Sequence, residues 1–209
     1  RIQSAIQKAR AARDRRLAIE GGGRAGAAAP ELYAVAADAP AHDVAAAWQD
    51  LPVYEPDPRR LAANRIVTLD PGPQATPFDV MRTRLMKQMK ANGWKRLAIT
   101  SPGPACGKTM TTLNLAFSLA RQAELRTLVI ETDLRRPAMA RALGLVRPMM
   151  FARALSGEDP APDHLVRYGG NLAFGANQNP VENSAELLQG ARATEVLAGL
   201  EQTYAPDLM

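Results

Sequence analysis

The 209-residue chain has one cysteine, two histidines and ten aromatic side chains. A lone Cys106 excludes a disulfide framework and any zinc site built on cysteines. No run of about 18 apolar residues is present, so no helix spans a bilayer. A charged start leading into an apolar core and a cleavage site is also missing, which argues against secretion and predicts a cytoplasmic protein. The first residue is Arg1, which suggests a piece of a longer chain. What the chain does have is 46% hydrophobic residues, enough for a packed core.

Charge is unevenly placed. Residues 1–24 carry seven basic and two acidic side chains, which accounts for the whole formal charge of +5. Residues 1–20 read as a basic helical arm, ended by Gly21-Gly22-Gly23. Such an arm suits acidic lipid headgroups at the inner leaflet or an acidic partner, or is simply a solvated helix face. It lacks the interleaved aromatics of single-strand binders, so nucleic acid is not expected. Residues 21–75 are rich in Ala, Pro and Gly and read as a disordered linker, with Trp48, Leu51, Val53 and Tyr54 available to dock on something.

Order is expected to begin at Thr76, as the N-cap of a helix with Pro77 at its first position and Asp79 at its third. Phe78, Met81, Leu85 and Met89 recur at helical spacing, and Asn92-Gly93 ends the run. Strands are expected at 96–100, 128–130 and 172–174, alternating with helices after the first, near 138–143 and 149–155, and from Ser184 to about Tyr204. That alternation predicts an α/β fold with a doubly wound, mostly parallel sheet over 76–209.

Between the first strand and its helix lies Ser101-Pro-Gly-Pro-Ala-Cys-Gly-Lys-Thr. Backbone N–H groups of Gly103, Pro104, Ala105, Cys106, Gly107, Lys108, Thr109 and Met110, prolines excepted, can curl around a nucleotide phosphate at the positive end of a helix. Lys108 is suited to neutralise β/γ oxygens, and the Thr109 hydroxyl to ligate Mg²⁺. Pro102 and Pro104 remove two donors. A second acidic segment, Glu131-Thr132-Asp133, stands where a strand ends, the edge at which ligands sit in open α/β sheets. Asp133 can orient Mg²⁺ water or an attacking hydroxyl, or pair with Arg135 or Arg136.

At these residues the chain resembles the bacterial tyrosine kinases of capsular and exopolysaccharide biosynthesis, which use a P-loop NTPase fold. The likeness runs over about 74–209: the loop above as Walker A, Asn114-Leu115-Ala116 after it, and Leu128 to Pro137 with its Asp-Leu-Arg-Arg-Pro ending. Asn171-Leu172, Glu186-Leu187-Leu188 and Tyr204-Ala205-Pro206-Asp207 also fit. Related partition-type ATPases carry a lysine where this chain has Gly103, which favours the kinase branch. The resemblance implies an ATP- and Mg²⁺-dependent tyrosine autokinase that regulates polysaccharide polymerisation and export beside a membrane adaptor. It assigns catalysis to Lys108 and Asp133, and metal binding to Thr109, Asp133 and Glu131. Glu131 stands where the family usually has Asp. The family's ring-forming Glu-x-x-Arg-x-x-Arg maps onto Thr76, Asp79 and Arg82; only Arg82 is retained, so homo-oligomerisation stays open. The family continues past Leu208-Met209 into a Walker B strand and a tyrosine cluster, so the expectation is a kinase fragment with an incomplete sheet, inactive by itself. A partition-type ATPase and a non-catalytic nucleotide-binding module are the alternatives.

Overall fold

The computed structural model describes residues 43–209; the basic arm, the first part of the expected linker and Tyr33 lie outside the described residues. Two short helices come first, α1 (Val44–Gln49) and α2 (Pro58–Ala63). Each starts on an aspartate: Asp43 accepts from the N–H groups of Ala45 and Ala46, and Asp57 from that of Arg59, with Pro58 pre-set for the first turn. The expected linker is therefore ordered in its described part, 43–75. Trp48, Leu51, Tyr54, Leu61 and Ile66 are all buried there. Trp48 donates its indole N–H to Tyr204 O at 2.8 Å, and the Tyr54 hydroxyl donates to Leu143 O at 2.8 Å. Three of the four residues expected to dock do so; Val53 is 58% exposed. Proline-rich composition marked the absence of long helices here, but a few large side chains with buried partners suffice to order the segment.

Helix α3 (Thr76–Asn92) begins one residue earlier than capping chemistry suggested. Ala75 is the N-cap, and Thr76 lies inside the helix, its hydroxyl donating to Gly72 O. Its end is as expected, with Gly93 in the left-handed region. Leu85, Met86 and Met89 pack toward α4 (Lys108–Ala120), while Met81 is 42% exposed. The buried stripe is thus turned from the expected one.

The remaining elements are β1 (Thr127–Ile130), α5 (Met139–Leu143), α6 (Phe151–Ser156), a 3₁₀ turn (Ala161–His164), β2 (Leu165–Tyr168), β3 (Leu172–Gly175), α7 (Ser184–Gln189) and α8 (Ala191–Tyr204). The sheet order is β1-β3-β2. β1 and β3 are parallel, with Val129 opposite Phe174; β2 and β3 form an antiparallel hairpin. One of the two pairings is therefore antiparallel, a correction to the mostly parallel expectation. Residues 165–168 follow a 3₁₀ turn and precede Gly169-Gly170, so their four-residue run carried little period of its own.

A second correction concerns 96–100. The segment forms no ladder; its backbone bonds are to Met209, through Leu97 N–H to Met209 O, with Met209 N–H donating to the adjacent Lys95 O, both 2.8 Å. Leu208 in turn pairs with β1, its carbonyl accepting from Leu128 N–H at 2.9 Å.

Alternation along the strands makes two cores. Leu172 and Phe174 join Leu113 and Phe117 of α4, whereas Ala173 joins Phe151 of α6 and Leu200 of α8. The sheet so carries helices on both faces, and the loop leading into α4 is held by one of them.

Candidate functional site

The loop before α4 reverses direction through two left-handed residues, Ala105 (φ 57°) and Gly107 (φ 86°). Gly107 is the N-cap of α4, and a side chain there would be strained by the backbone angle itself. The first N–H groups of this 13-residue helix, those of Lys108, Thr109 and Met110, have no partner inside the helix. Its apolar side is anchored by Leu113, Phe117 and Leu119, each 1% exposed or less. Buried Asn114 adds a polar anchor: its amide donates to Arg65 O and Met110 O at 2.9 Å and accepts from Val67 N–H at 2.8 Å. The segment expected to be a linker thus braces the loop-bearing helix.

Lys108 Nζ lies 3.4 Å from Asp133 Oδ2 and donates to Ser101 Oγ at 3.2 Å. Ser101 Oγ donates in turn to Gly103 O at 2.7 Å. The structure therefore brings the two proposed catalytic residues together, across the gap between the loop and the carboxyl end of β1. Asp133 also accepts from Arg136 N–H at 3.2 Å, a turn contact, so its pairing is with Lys108 and not with an arginine side chain. Ser101 was not singled out by motif reasoning. Its position just before Pro102, at the end of an apolar run, is the one signal that could have found it.

Glu131 is placed differently. Its carboxylate is 5% exposed and takes three backbone hydrogen bonds, from Ala138 and Met139 at Oε1 (2.7 and 2.8 Å) and from Asn177 at Oε2 (2.9 Å). Burial raises its carboxyl above the ordinary value, and the three N–H donors offset that only in part. The three residues expected to hold metal line the same opening, but both carboxylate oxygens of Glu131 already accept from backbone N–H groups.

A cleft of about 600 Å³ runs from this gap down between residues 96–101 and β1. Lys108, Thr109, Glu131, Asp133, Ile99 and Val129 contribute to its wall; Gly103 to Gly107 and Met110 lie outside it. No group of three or more His, Cys, Asp or Glu residues that could hold a metal ion occurs among the described residues. The donor set that is present, a hydroxyl, a carboxylate and a lysine at a helix start, fits a metal ion that arrives with phosphate oxygens. No described helix is long and apolar enough to cross a membrane.

Arg82, the retained ring-motif residue, points inward. It donates to Ser118 O at 2.6 Å, while Asp79 accepts from Ser118 Oγ at 2.5 Å and pairs with Arg121. These residues join α3 to α4.

No family model matches the chain, and no curated protein does. Solved structures do. The BceF tyrosine kinase domain is 26% identical with a TM-score of 0.55, over 65% of this chain and 53% of that one. The VpsO kinase domain is also 26% identical, with a TM-score of 0.50, over 61% and 64%. The kinase domain of the Escherichia coli tyrosine kinase ETK is 24% identical with a TM-score of 0.56, over 65% and 52%. The chain spans about half the length of the BceF and ETK structures.

Proposed function

The likeness to bacterial tyrosine kinase domains, seen first in the loop and the Asp-Leu-Arg-Arg-Pro segment, holds at the level of structure, and on that premise we propose that this chain is the nucleotide-binding part of an ATP-dependent protein-tyrosine kinase acting in exopolysaccharide or capsule production. The observation that carries the reading is Lys108 at 3.4 Å from Asp133, at the start of a helix whose first N–H groups are unpartnered.

Phosphoryl transfer asks a protein for positioning and for charge stabilisation more than for covalent chemistry. Lys108 supplies a positive charge held in place by Ser101 and Asp133. The N–H groups of Lys108 to Met110 add fixed dipoles on the same side. Thr109 and Asp133 are the residues that would hold Mg²⁺, whose role is to neutralise charge on the phosphate oxygens. Asp133, once Lys108 engages phosphate, is free to accept a hydrogen bond from an incoming hydroxyl or from metal-bound water.

The acceptor tyrosine comes from elsewhere than the packed core. The Tyr54 hydroxyl is buried and its pKa is pushed up to about 12, by burial first; Tyr204 is buried too. A membrane adaptor of the export system is the proposed partner, with ATP and Mg²⁺ as cofactors; contact of residues 1–24 with the inner leaflet is a further element of the proposal.

The test is phosphotransfer from Mg·ATP to tyrosine in the natural gene product and in its Lys108→Met variant. Tyrosine phosphorylation that is lost in the variant supports the reading. Equal phosphotyrosine in both would sink the site assignment. ATP hydrolysis without phosphotyrosine would select the partition-type alternative, and binding without either reaction the non-catalytic module.

A further inference from the structure

The chain leaves β1 at Ile130 and regains regular structure at Met139. Between them, residues 132–137 carry Asp133 on an irregular loop with few ties of its own. Leu134 is buried and its carbonyl accepts from Val181 N–H at 2.8 Å; the Arg135 guanidinium reaches Ser184 Oγ at 3.2 Å. Both ends of this loop meet at one side chain. Glu131 stands at its start, and Oε1 of the same residue receives the N–H groups of Ala138 and Met139 at its end. Oε2 receives Asn177 N–H from the segment after β3, and Asn177 Nδ2 donates back to Glu131 O at 3.1 Å. Asn177 Oδ1 accepts from Ala152 N–H of α6 at 2.8 Å. Glu131 and Asn177 are 5% and 1% exposed, so this clamp is largely withdrawn from water, with Glu131 reaching the cleft wall at its edge.

We propose that Glu131 is a positioning residue whose carboxylate closes the base of the Asp133 loop and so holds Asp133 within ion-pair reach of Lys108, without itself ligating metal or phosphate. The inference rests on the phosphotransfer reading above. Three donors take up most of the acceptor capacity of a carboxylate, and the burial that hides it leaves little room for the octahedral shell that Mg²⁺ requires. The residue type follows from the span. A carboxylate has acceptors on both oxygens, which the clamp uses on both sides. Glutamine keeps the length but presents an NH₂ group to one set of N–H donors. Aspartate keeps the acceptors but is one methylene shorter. Groups that orient a reacting or metal-binding side chain act through it, so the effect of losing Glu131 belongs to Asp133.

The experiment is a double-mutant cycle of Glu131→Gln and Asp133→Asn in the natural gene product, read as phosphotransfer rate over a range of Mg²⁺ concentrations. Amide exchange of residues 132–139 is measured in the nucleotide-free proteins. Glu131→Gln is expected to slow transfer about tenfold and, because it acts through Asp133, to raise the Mg²⁺ midpoint by no more than Asp133→Asn does. In the Asp133→Asn background it should change the rate by less than about twofold, because coupled sites are non-additive. Exchange at Ala138 and Met139 should quicken in Glu131→Gln and stay slow in Asp133→Asn. A Mg²⁺ midpoint raised further by Glu131→Gln in the Asp133→Asn background would make Glu131 a direct ligand and overturn the proposal. So would full multiplicative loss in the double variant, an unchanged rate, or unchanged exchange. If Glu131→Gln does not fold, Asn177→Ala replaces it, opening the clamp from its other side; the same suppression by Asp133→Asn is required. Absence of phosphotransfer in the unsubstituted protein counts against the kinase reading alone, and the exchange arm then decides the loop closure by itself.

Discussion

The two margins of the sheet are built to opposite ends. At the β2 margin, Val53 bridges Arg167, Tyr54 N–H donates to Arg167 O at 2.7 Å, and Arg167 N–H donates to Pro52 O at 2.8 Å. The strap that makes these bonds is pinned by Trp48 against Tyr204, edge to face with ring centroids 5.8 Å apart. At the β1 margin the partner is Leu208, and beyond it lies the cleft that reaches Lys108 and Asp133. Backbone groups and large side chains are paired at the first margin, so it contributes stability. The second leaves charged and hydroxyl groups facing an opening, where they can meet a ligand. The difference separates residues that hold the fold from residues to which the proposed function assigns the chemistry.

Breaking the closed margin should give the largest effect. Trp48→Ala removes a side chain that is 3% exposed together with its hydrogen bond to Tyr204 O. We expect a loss of about 3–5 kcal/mol, read as a lower Tm and denaturant midpoint. Nucleotide affinity of the folded fraction should stay within about twofold, since distant sites act independently. A large drop in affinity at unchanged Tm would reverse the division drawn above.

Lys108→Met at the open margin should do the reverse. The rate of phosphotransfer should fall on the order of 10², as for other single electrostatic donors. Its ion pair with Asp133 is partly solvated, with side chains 24% and 38% exposed, so thermal stability should move little. Gly107→Ala sharpens the comparison from the backbone side. At φ 86° an added Cβ costs about 1–2 kcal/mol, which should appear in the denaturant midpoint and as weaker nucleotide binding.

The smallest expected effect is a pH dependence at the joint of α3 and α4. Burial pushes the Asp79 carboxyl up, but hydrogen bonds from Ser118 and Arg121 and the charges of Arg121 and Arg82 outweigh it, so its pKa is lowered. Above the ordinary aspartate value both folded and unfolded chains are ionised, and the full contribution is present. As pH falls below that value the unfolded chain takes up a proton first, and the contribution is lost down through the lower folded value. Asp79→Asn should flatten this acid limb in denaturant midpoints measured across pH, while an unchanged slope would assign the limb to other carboxylates such as Asp159. That group is held at about 2 by its hydrogen bonds from Arg153 and His164.

The loop was legible because its chemistry is local. Gly107, Lys108 and Thr109 are adjacent, and the left-handed turn they need is a property of a few consecutive residues. The aspartate at 133 was legible from its place at a strand end. The strap was not, because Trp48 finds Tyr204 and Tyr54 finds Leu143 only after the chain has folded back over them. The partners of Glu131, which the resemblance assigns to metal, are hidden for the same reason. In sequence Glu131 is an acidic residue two places from Asp133; its donors, Ala138, Met139 and Asn177, are brought to it by α5 and by the segment after β3.

By itself, then, the order of residues determined the left-handed turn into α4, the limits of most helices to within a few residues, and the strands at 127–130 and 172–175. These depend on backbone angles and periods that short segments carry within themselves. Tertiary structure decided that residues 43–75 are ordered, that 165–168 runs antiparallel, that Arg82 turns inward, and which of the two acidic residues at the cleft has its carboxylate taken up by backbone. Each of these depends on where a buried polar group or a large apolar side chain finds its partner. Those partners are far away along the chain, so no local pattern records them.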